Sequence, residues 1–409
     1  MQPTAERATF RDVFAISEFR ALWASQILSV VGDRLALVAL TILVFQRTGS
    51  PLLTASAYAA GYVPWVVGGL AVSGMADRFP RREVMVACDM VRAVLVGIMA
   101  IPGAPLWLLV LLLFSATSFA PPFESARAAT FPDVLKGERY VLGVAIAQTT
   151  FRMGVVIGFA IGGIAVGFLG PRPSLMADAA TFALSALLIH CWVRSRPAAR
   201  PESGHIHAPL ARIGAGLRLV LADRTVRVLV LFGWLVAFYA VPEGVAAPYA
   251  KRLGGGSATI GLILAAGAFG GMIAAICFTR LVKPRQRQQW LGPLAIAAPA
   301  TLMLCLTDPG SGTSLAIFAL SGAFSVYQIA ANAEFVGAVP NRYRAQGFGI
   351  ANAGLIVGQG IVFVLAGAAA QVMNPSMVIA ISGGLGASAA AVLAVKWRSR
   401  ANRVDLSAR

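Results

Sequence analysis

Twelve apolar stretches, each about as long as a membrane-crossing helix, follow one another along this 409-residue chain. An α-helix needs about 20 mostly apolar residues to cross the hydrocarbon layer of a bilayer. We therefore predict an all-α membrane protein with twelve transmembrane helices. The predicted spans are 21–45, 53–73, 84–102, 105–126, 141–169, 174–193, 226–248, 259–281, 290–307, 313–337, 347–371 and 375–396.

The composition excludes two broad classes of protein. Only 12% of the residues are charged, whereas 58% are hydrophobic. Soluble domains carry about 25% charged residues, so this chain has too little charge to cover the surface of a water-soluble globule. A disordered chain is excluded as well, because disorder requires low hydrophobicity.

The basic residues predict the orientation of the chain in the membrane. Of the 34 Lys and Arg residues, 27 fall in the tails and loops on one face, four in the opposite loops and three inside predicted spans. Cytoplasmic loops carry an excess of Lys and Arg, so we predict that both termini are cytoplasmic. The same bias accounts for the net charge of +17 without a nucleic-acid partner.

A polar stretch from residue 194 to 227 divides the predicted spans six and six. We predict an N-terminal six-helix bundle over residues 1–193, a cytoplasmic linker over 194–225, and a C-terminal six-helix bundle with a basic cytoplasmic tail over 226–409.

The two halves also share local patterns. Phe-Pro-Asp at 131–133 and Val-Pro-Asn at 339–341 stand 208 residues apart. Equal orientation after six spans is typical of parallel repeats, between which transporters place their binding sites. Chance matches in a glycine-rich apolar chain are the alternative.

Residues 73–82 read Ser-Gly-Met-Ala-Asp-Arg-Phe-Pro-Arg-Arg. This segment resembles the loop between helices 2 and 3 of the major facilitator superfamily, G-x-x-x-D-R-x-G-R-R, with departures at Ser73 and Pro80. The resemblance implies a cytoplasmic gating latch that closes the two bundles in one state. The matching residues are Asp77, Arg78, Arg81 and Arg82.

A glycine pattern on predicted helix 5 is similar to the antiporter motif G-x-x-x-G-P-x-x-G-G, with Phe159 in place of its proline. Segments 122–133 and 178–185 resemble the subgroup that holds macrolide-efflux and enterobactin-exporter-like proteins. The resemblance implies the major facilitator fold and proton-coupled export of an amphipathic or hydrophobic small molecule. An importer or uniporter of the same fold is the alternative. The motif glycines are Gly154, Gly158, Gly162 and Gly163.

Three further charged residues are candidates for the latch. Asp89 and Arg92 are three residues apart on predicted helix 3, so their side chains can meet along one helix face. They extend the latch or form a structural pair. Glu334, near the cytoplasmic end of predicted helix 10, is the candidate partner of the basic loop in the second half.

Asp33 and Arg34 lie midway along predicted helix 1. Charges at this depth are costly and usually functional. Neighbouring residues of a helix point about 100° apart, so each needs a partner on another helix. Asp33 is the first candidate for the carboxyl that responds to protons or substrate, and a fixed structural ion pair is the alternative.

Three other charged residues inside predicted spans are candidates for coupling or substrate binding. Glu243 stands between Pro242 and Gly244, which should loosen the helix there. Arg152 on predicted helix 5 is a candidate to attract an anion or to hold Asp33 or Asp178, with packing as the alternative. We expect Asp178 on predicted helix 6 to cap a helix or line a cavity.

Several kinds of chemistry have no motif in the sequence. The chain contains no G-x-x-x-x-G-K-[ST] loop, which excludes ATP hydrolysis by such a loop as the energy source. HExxH, GxSxG and CxxC patterns are missing too, so we expect no enzyme activity, no metal and no cofactor. The expected partners are a small-molecule substrate, protons and the lipid bilayer, with a monomer in a prokaryotic plasma (inner) membrane and the proton gradient as energy source.

Overall fold

The computed structural model describes residues 8–64, 79–196, 220–340 and 343–407, together with residues 214, 217 and 218. All regular structure within these ranges is helical. In the first half the helices are α1 (Phe10–Phe14), α2 (Ser17–Thr48), α3 (Pro51–Ala60), α4 (Arg81–Met99), α5 (Leu106–Ser118), α6 (Ala120–Val134), α7 (Glu138–Leu169) and α8 (Pro171–Trp192).

The second half continues with α9 (Arg224–Trp234), α10 (Val236–Tyr239), α11 (Val241–Gly244), α12 (Ala246–Arg252), α13 (Ser257–Leu281), α14 (Pro284–Thr301), α15 (Ser311–Phe324), α16 (Tyr327–Ala338), α17 (Arg344–Val372) and α18 (Pro375–Ser407). A short 3₁₀ helix, Leu302–Thr307, extends α14. The breaks around α11 confirm that the chain loosens beside Glu243, where Pro242 interrupts the pattern of helix hydrogen bonds.

Ten helical segments in the described residues are long and apolar enough to cross a membrane: Ser17–Thr48, Leu106–Val134, Glu138–Leu169, Pro171–Trp192, Arg224–Gly244, Ser257–Leu281, Gln286–Thr307, Ser311–Ala338, Gln346–Val372 and Pro375–Arg398. The predicted span 53–73 lies partly outside the described residues. The predicted span 84–102 forms α4, which carries charged residues in its first turn and middle. Twelve spans and cytoplasmic termini stay predictions.

The fourth predicted span of each half is broken at an equivalent place. In the first half α5 ends at Ser118 and α6 begins at Ala120. In the second half α15 ends at Phe324 and α16 begins at Tyr327. The breaks therefore fall at nearly the offset at which the sequence motifs repeat, as expected for parallel structural repeats.

The chain divides into two compact units, and the boundary predicted between residues 193 and 226 stays a prediction. The first unit comprises 1–43 and 60–205, and the second comprises 44–59 and 206–409. In the first unit α8 packs along α4, and buried residues such as Leu22, Met85 and Phe123 form its core. This packing turns the polar residues of α4 and α8 towards each other.

In the second unit α9, α14, α16 and α18 enclose a core that includes Phe232, Tyr327 and Trp397. Arg252 at the end of α12 forms an ion pair with Asp308 at 2.5 Å and donates a hydrogen bond to Ser376. The hydrogen bond from Arg252 lowers the pKa of the Asp308 carboxyl. Asp308 itself has a positive φ of 51°.

Helices α13 and α15 cross at glycines whose backbones touch the facing helix. A Cβ built on Gly322 lies 2.8 Å from the Cα of Gly267, and one built on Gly270 lies 2.9 Å from the Cα of Ala319. Real Cβ atoms do not approach backbone this closely. Small residues at such crossings let helices pack closely in a membrane, where burial of apolar surface adds little to association.

We predict that Gly322→Ala destabilises the protein, because the added methyl group overlaps the backbone of α13. Overpacking of this kind costs about 1–3 kcal/mol. Thermal unfolding of the full chain in detergent measures the effect as a lower midpoint temperature. Gly358→Ala is the matched control, because a Cβ on Gly358 meets no atom of the described residues within 4 Å. Equal midpoints for the two variants would contradict the crossing.

Candidate functional site

Arg92 of α4 lies at the centre of a buried group of charged residues in the first unit. Its side chain is 1% exposed. Nη1 donates to the Ser29 hydroxyl at 2.9 Å, and Nη2 donates to the Asp33 carboxylate. The carboxylate of Asp89, one turn earlier on α4, lies 3.6 Å from Nη1. The partner that Asp33 was expected to need on another helix is therefore Arg92.

The flat face of the same guanidinium packs on an aromatic ring of α8. Its central carbon lies 4.0 Å from the centroid of the Phe182 ring. Cations over aromatic faces are attracted by the ring electrons, more strongly when water is excluded. Arg92 thus contacts α2, its own helix α4, and α8.

Asp89 is 0% exposed. Its second carboxylate oxygen accepts a hydrogen bond from the Ser185 hydroxyl of α8 at 2.5 Å. Asp89 and Arg92 meet along one helix face, as predicted. They were predicted to extend the latch or to form a structural pair. In the structure they lie beside Asp33, the first coupling candidate.

Asp178 of α8 is the third carboxyl of this group and is 0% exposed. Its Oδ1 accepts from the Thr181 hydroxyl at 3.2 Å, and its Oδ2 has no hydrogen-bond partner in the described part of the chain. The charges of Asp33 and Arg92 act on it. Asp178 does not cap its own helix, because α8 begins after Gly170 and Asp178 lies buried within it. The alternative expectation, that Asp178 lines a cavity, stays a prediction.

Gly32, next to Asp33 on α2, makes room for Asp178. A Cβ built on Gly32 would overlap the Asp178 carboxylate and the Thr181 hydroxyl. Any larger residue at position 32 would therefore push α8 away from α2. Because position 32 has no side chain, α2 and α8 approach closely and Asp178 lies near Asp33.

We define the charge cluster as Asp33, Asp89, Arg92 and Asp178. If all four were ionised, three negative charges would face one positive charge. Asp33 is 28% exposed, whereas Asp89 and Asp178 are not exposed at all. Asp33 is therefore the member of the cluster that the protein does not fully enclose. The cluster therefore has more carboxyl groups than cations to pair with them. Because burial of unpaired charge is costly, this excess of negative charge is unfavourable when all the carboxyls are ionised.

The sequence reasoning missed four side chains that contact the cluster, namely Ser29 on α2 and Thr181, Phe182 and Ser185 on α8. Asp178, Thr181, Phe182 and Ser185 recur at the i, i+3, i+4, i+7 spacing of one helix face. This polar stripe on an apolar helix was the available signal. Nothing in the sequence links the stripe to Ser29 or Asp33 on α2.

The predicted glycine motif brings α7 against the backbone of α2. A Cβ on Gly158 would lie 2.9 Å from the Arg34 Cβ and 3.1 Å from the Val31 Cα, and equivalent atoms on Gly154 and Gly162 would lie 3.0 and 3.3 Å from α2. Gly163 is buried on the same helix. The glycines therefore seat α7 along the helix that carries Asp33.

Arg34 and Arg152 do not join the charge cluster. The guanidinium carbon of Arg34 lies 5.3 Å from the ring centroid of Phe159, so the residue that replaces the motif proline contacts a charged neighbour. Arg152 is exposed and forms no ion pair with any described residue. It therefore holds neither Asp33 nor Asp178.

The predicted latch is described only in part, because Asp77 and Arg78 lie outside the described residues. Arg81 at the start of α4 forms an ion pair with Asp133 of α6 at 2.7 Å and donates to the Ala129 carbonyl at 2.6 Å. Arg82 is half-buried, and its Nε has no described hydrogen-bond partner. These contacts join α4 to α6 within the first unit.

Two predicted acids lie in the second unit. Glu243 accepts a hydrogen bond from the Tyr58 hydroxyl at 2.9 Å. The Tyr58 ring packs edge-on against Phe363, with centroids 5.4 Å apart. Glu334 is half-buried on α16 and forms no ion pair with the residues that the structure describes. The Tyr58 phenol thus holds the Glu243 carboxylate by a hydrogen bond.

A cavity of about 250 Å³ lies in the second unit among α9, α16 and α17. Its walls combine three side-chain amides with apolar and aromatic groups, and the rings of Phe335 and Phe348 pack with centroids 4.8 Å apart. Ligand pockets of this mixed character occupy about 300–1,000 Å³, so the cavity suits part of a drug-sized molecule. The amide side chains are those of Gln328, Asn332 and Asn352.

We predict that Arg92→Met strongly destabilises the protein at neutral pH, because the three acids of the charge cluster lose its only cation. Removing one partner of a buried ion pair costs about 3–5 kcal/mol. Thermal unfolding in detergent is the measurement, and acidification should restore part of the loss by neutralising the carboxylates. Lys136→Met is the control, since Lys136 is exposed. An Arg92→Met protein as stable as this control at neutral pH would contradict the geometry.

Curated proteins that resemble the chain include efflux proteins. The multidrug efflux pump Tap of Mycolicibacterium fortuitum is 25% identical over 287 residues, which cover 68% of this chain and 69% of Tap. Macrolide efflux protein A of Streptococcus pyogenes is 23% identical over 155 residues, which cover 33% of this chain and 38% of that protein. The second match therefore spans well under two thirds of the relative.

Solved transporter structures share the fold at low sequence identity. The nucleoside transporter NupG aligns with a TM-score of 0.75 and 12% identity, covering 94% of this chain and 99% of that chain. A bacterial homologue of the lysosomal transporter Spinster aligns with a TM-score of 0.65 and 17% identity, covering 93% and 92%. At these identities the likeness shows the fold alone.

The family model described as the Major Facilitator Superfamily matches residues 22–332, which is more than half of the chain. This match confirms the family that the loop and glycine motifs predicted. It also indicates a secondary transporter rather than an enzyme, in agreement with the multiple apolar helices. The chain belongs to the Major Facilitator Superfamily and is a multi-pass membrane transporter whose relatives include drug and macrolide efflux proteins.

Proposed function

We propose that the protein exports amphipathic or hydrophobic small molecules in exchange for protons, by alternating access between two bundles. The observation that carries the proposal is the charge cluster, in which Arg92 faces three carboxyls. A transporter that couples to protons needs a carboxyl that can hold and release one within the membrane. The cluster supplies such groups where burial makes their charge costly.

The balance of charge supports a bound proton in this arrangement. Arg92 contacts Asp33 and Asp89 directly, and one oxygen of Asp178 has no described hydrogen-bond partner. A proton on Asp178 removes a buried negative charge that no cation contacts. Asp33, the exposed member, is the group through which we propose that the proton exchanges with water.

The remaining charged candidates have supporting roles in this proposal. Arg34 and Arg152 are proposed to attract anionic groups during transport, and Glu243 is a second coupling acid. The cytoplasmic gating latch is proposed to comprise Asp77, Arg78, Arg81, Arg82 and Glu334. Asp89 and Arg92, first considered with the latch, join the coupling cluster.

The cavity of the second unit supports an amphipathic substrate. Its aromatic and aliphatic walls suit an apolar body, whereas Gln328, Asn332 and Asn352 offer hydrogen bonds without charge. The relatives named for drug and macrolide efflux favour the same class. Export rather than import is proposed on those relatives and on the glycine motif of α7.

We also propose the full membrane topology. Twelve spans form bundles over 1–193 and 226–409, joined by a linker over 194–225, with both termini in the cytoplasm of a prokaryotic cell. The strong bias of Lys and Arg supports this orientation. A monomer is proposed to work in the plasma membrane with the proton gradient as its energy source and without a cofactor.

Labelling of single cysteines tests the topology. In a variant whose four native cysteines are replaced, a membrane-impermeant maleimide added to whole cells should label Ser311→Cys and spare Lys136→Cys. Both positions are exposed in the structure but fall in loops predicted on opposite faces. Lys136→Cys should react once the cells are permeabilised. The reverse pattern in whole cells would show that the proposed orientation is wrong.

Proteoliposomes test proton coupling, with ethidium and erythromycin as the probe substrates. We expect the wild type to accumulate a probe when a pH gradient is imposed. Asp33→Asn and Asp178→Asn should abolish this accumulation but retain exchange of probe without a gradient, because each replaces the titratable carboxyl by a hydrogen-bonding amide of the same size. Glu138→Gln is the matched control, since Glu138 is exposed at the start of α7.

Two outcomes would contradict the proposal. Full gradient-driven transport by both Asp→Asn variants would show that the cluster does not couple protons. Loss of the probe from everted vesicles energised with a pH gradient, where an exporter should accumulate it, would favour the importer or uniporter alternative.

A further inference from the structure

A second cavity of about 270 Å³ lies in the second unit, between the start of α9 and the C-terminal half of α18. Its lining has two chemically distinct parts. One part is basic and the other is aliphatic. The lining residues are Arg224, Arg227, Lys396, Val228, Leu231 and Leu393.

Three cations meet at this cavity, and no acidic side chain is among its described lining residues. Arg224, Arg227 and Lys396 are exposed. Arg227 is oriented by a hydrogen bond from its Nη1 to the Leu221 carbonyl at 2.8 Å. The arrangement therefore offers an anion several donors.

Asp223 is the nearest acid in sequence, and its carboxylate caps α9. Its Oδ1 accepts hydrogen bonds from the backbone N–H groups of Thr225 and Val226 at 2.7 and 3.2 Å. The Asp223 carboxylate therefore interacts with the positive end of the α9 dipole. It is not among the lining residues of the cavity, so the charged lining consists of cations.

The aliphatic part continues from the cations into the membrane-spanning region. Val228 and Leu393 are 6% and 8% exposed and belong to the core that contains Trp397. Leu231, almost one helical turn beyond Val228, is 37% exposed. A molecule bound to the cations can thus lay an apolar chain along Leu231.

The cavity lies at the boundary of the membrane. The apolar segment Arg224–Gly244 begins beside it, and the segment Pro375–Arg398 ends beside it. When one membrane segment begins beside the point where a neighbouring segment ends, the charged residues at both points lie at the same membrane surface. Lipid phosphates occupy that level, and basic pockets between helices there bind anionic headgroups.

We propose that this cavity binds one anionic phospholipid, with its phosphate held by Arg224, Arg227 and Lys396 and an acyl chain packed on Leu231. Complementary charge at one end and apolar surface at the other favour a lipid over a soluble anion. The proposal is independent of the direction and coupling of transport.

Native mass spectrometry of the full-length protein in detergent tests the site by titration with dioleoylphosphatidylglycerol. We expect the double variant Arg224→Gln with Lys396→Gln to bind the first lipid about 30-fold more weakly, since each basic residue near a membrane surface contributes about fivefold. The matched control is Arg280→Gln with Lys283→Gln, which removes two exposed charges at the end of α13. This control should retain the affinity of the wild type.

A second variant and a second ligand separate a lipid from a free anion. Leu231→Ser should weaken phosphatidylglycerol binding, because it removes the apolar contact. Millimolar inorganic phosphate should not displace the lipid. Equal losses in the two double variants, equal binding of dioleoylphosphatidylcholine, or displacement by phosphate would each overturn the proposal.

Discussion

The low dielectric of the membrane interior is the constraint on which this structure depends, because a charge kept there needs a partner within the protein. The first unit satisfies this requirement through one guanidinium. Arg92 binds oxygen atoms of α2 and α4 and the ring face of α8. One cation therefore fixes the rotation of three helices, yet it leaves carboxyl groups in excess. This imbalance is the basis of the proton coupling that we propose for the site.

Close helix packing is the second requirement, and glycines provide it where the charges need it. Gly32 makes space for the Asp178 carboxyl, and Gly158 lets α7 approach α2 at Arg34. A larger side chain at either position would separate the helices that carry the cluster. The glycine motif is therefore connected to the chemistry of the first unit through geometry, because it lets α7 pack against the helix that carries Asp33. Charge and packing determine the site together.

Charges at the edge of the membrane are treated differently from those inside it. Arg92 is enclosed by protein, whereas Arg224 and Lys396 remain exposed beside aliphatic side chains. At the edge, water and lipid headgroups solvate the exposed end of a cation. In the lipid site that we propose, basic residues that indicate orientation in the sequence also bind an anionic headgroup. A single compositional bias can serve topology and lipid binding.

Hydropathy and motifs alone determined the helical class, the location of most spans, the family and the identity of the rare charges inside spans. These properties are local, because span length and the cost of burial can be read along one helix. Only the tertiary structure decided which charges meet. Arg92 binds Asp33 from 59 residues away, while Arg34, next to Asp33, faces Phe159. Partners across helices depend on how each helix is rotated in the bundle, and that rotation follows from packing of side chains on neighbouring helices, which no single stretch of sequence contains.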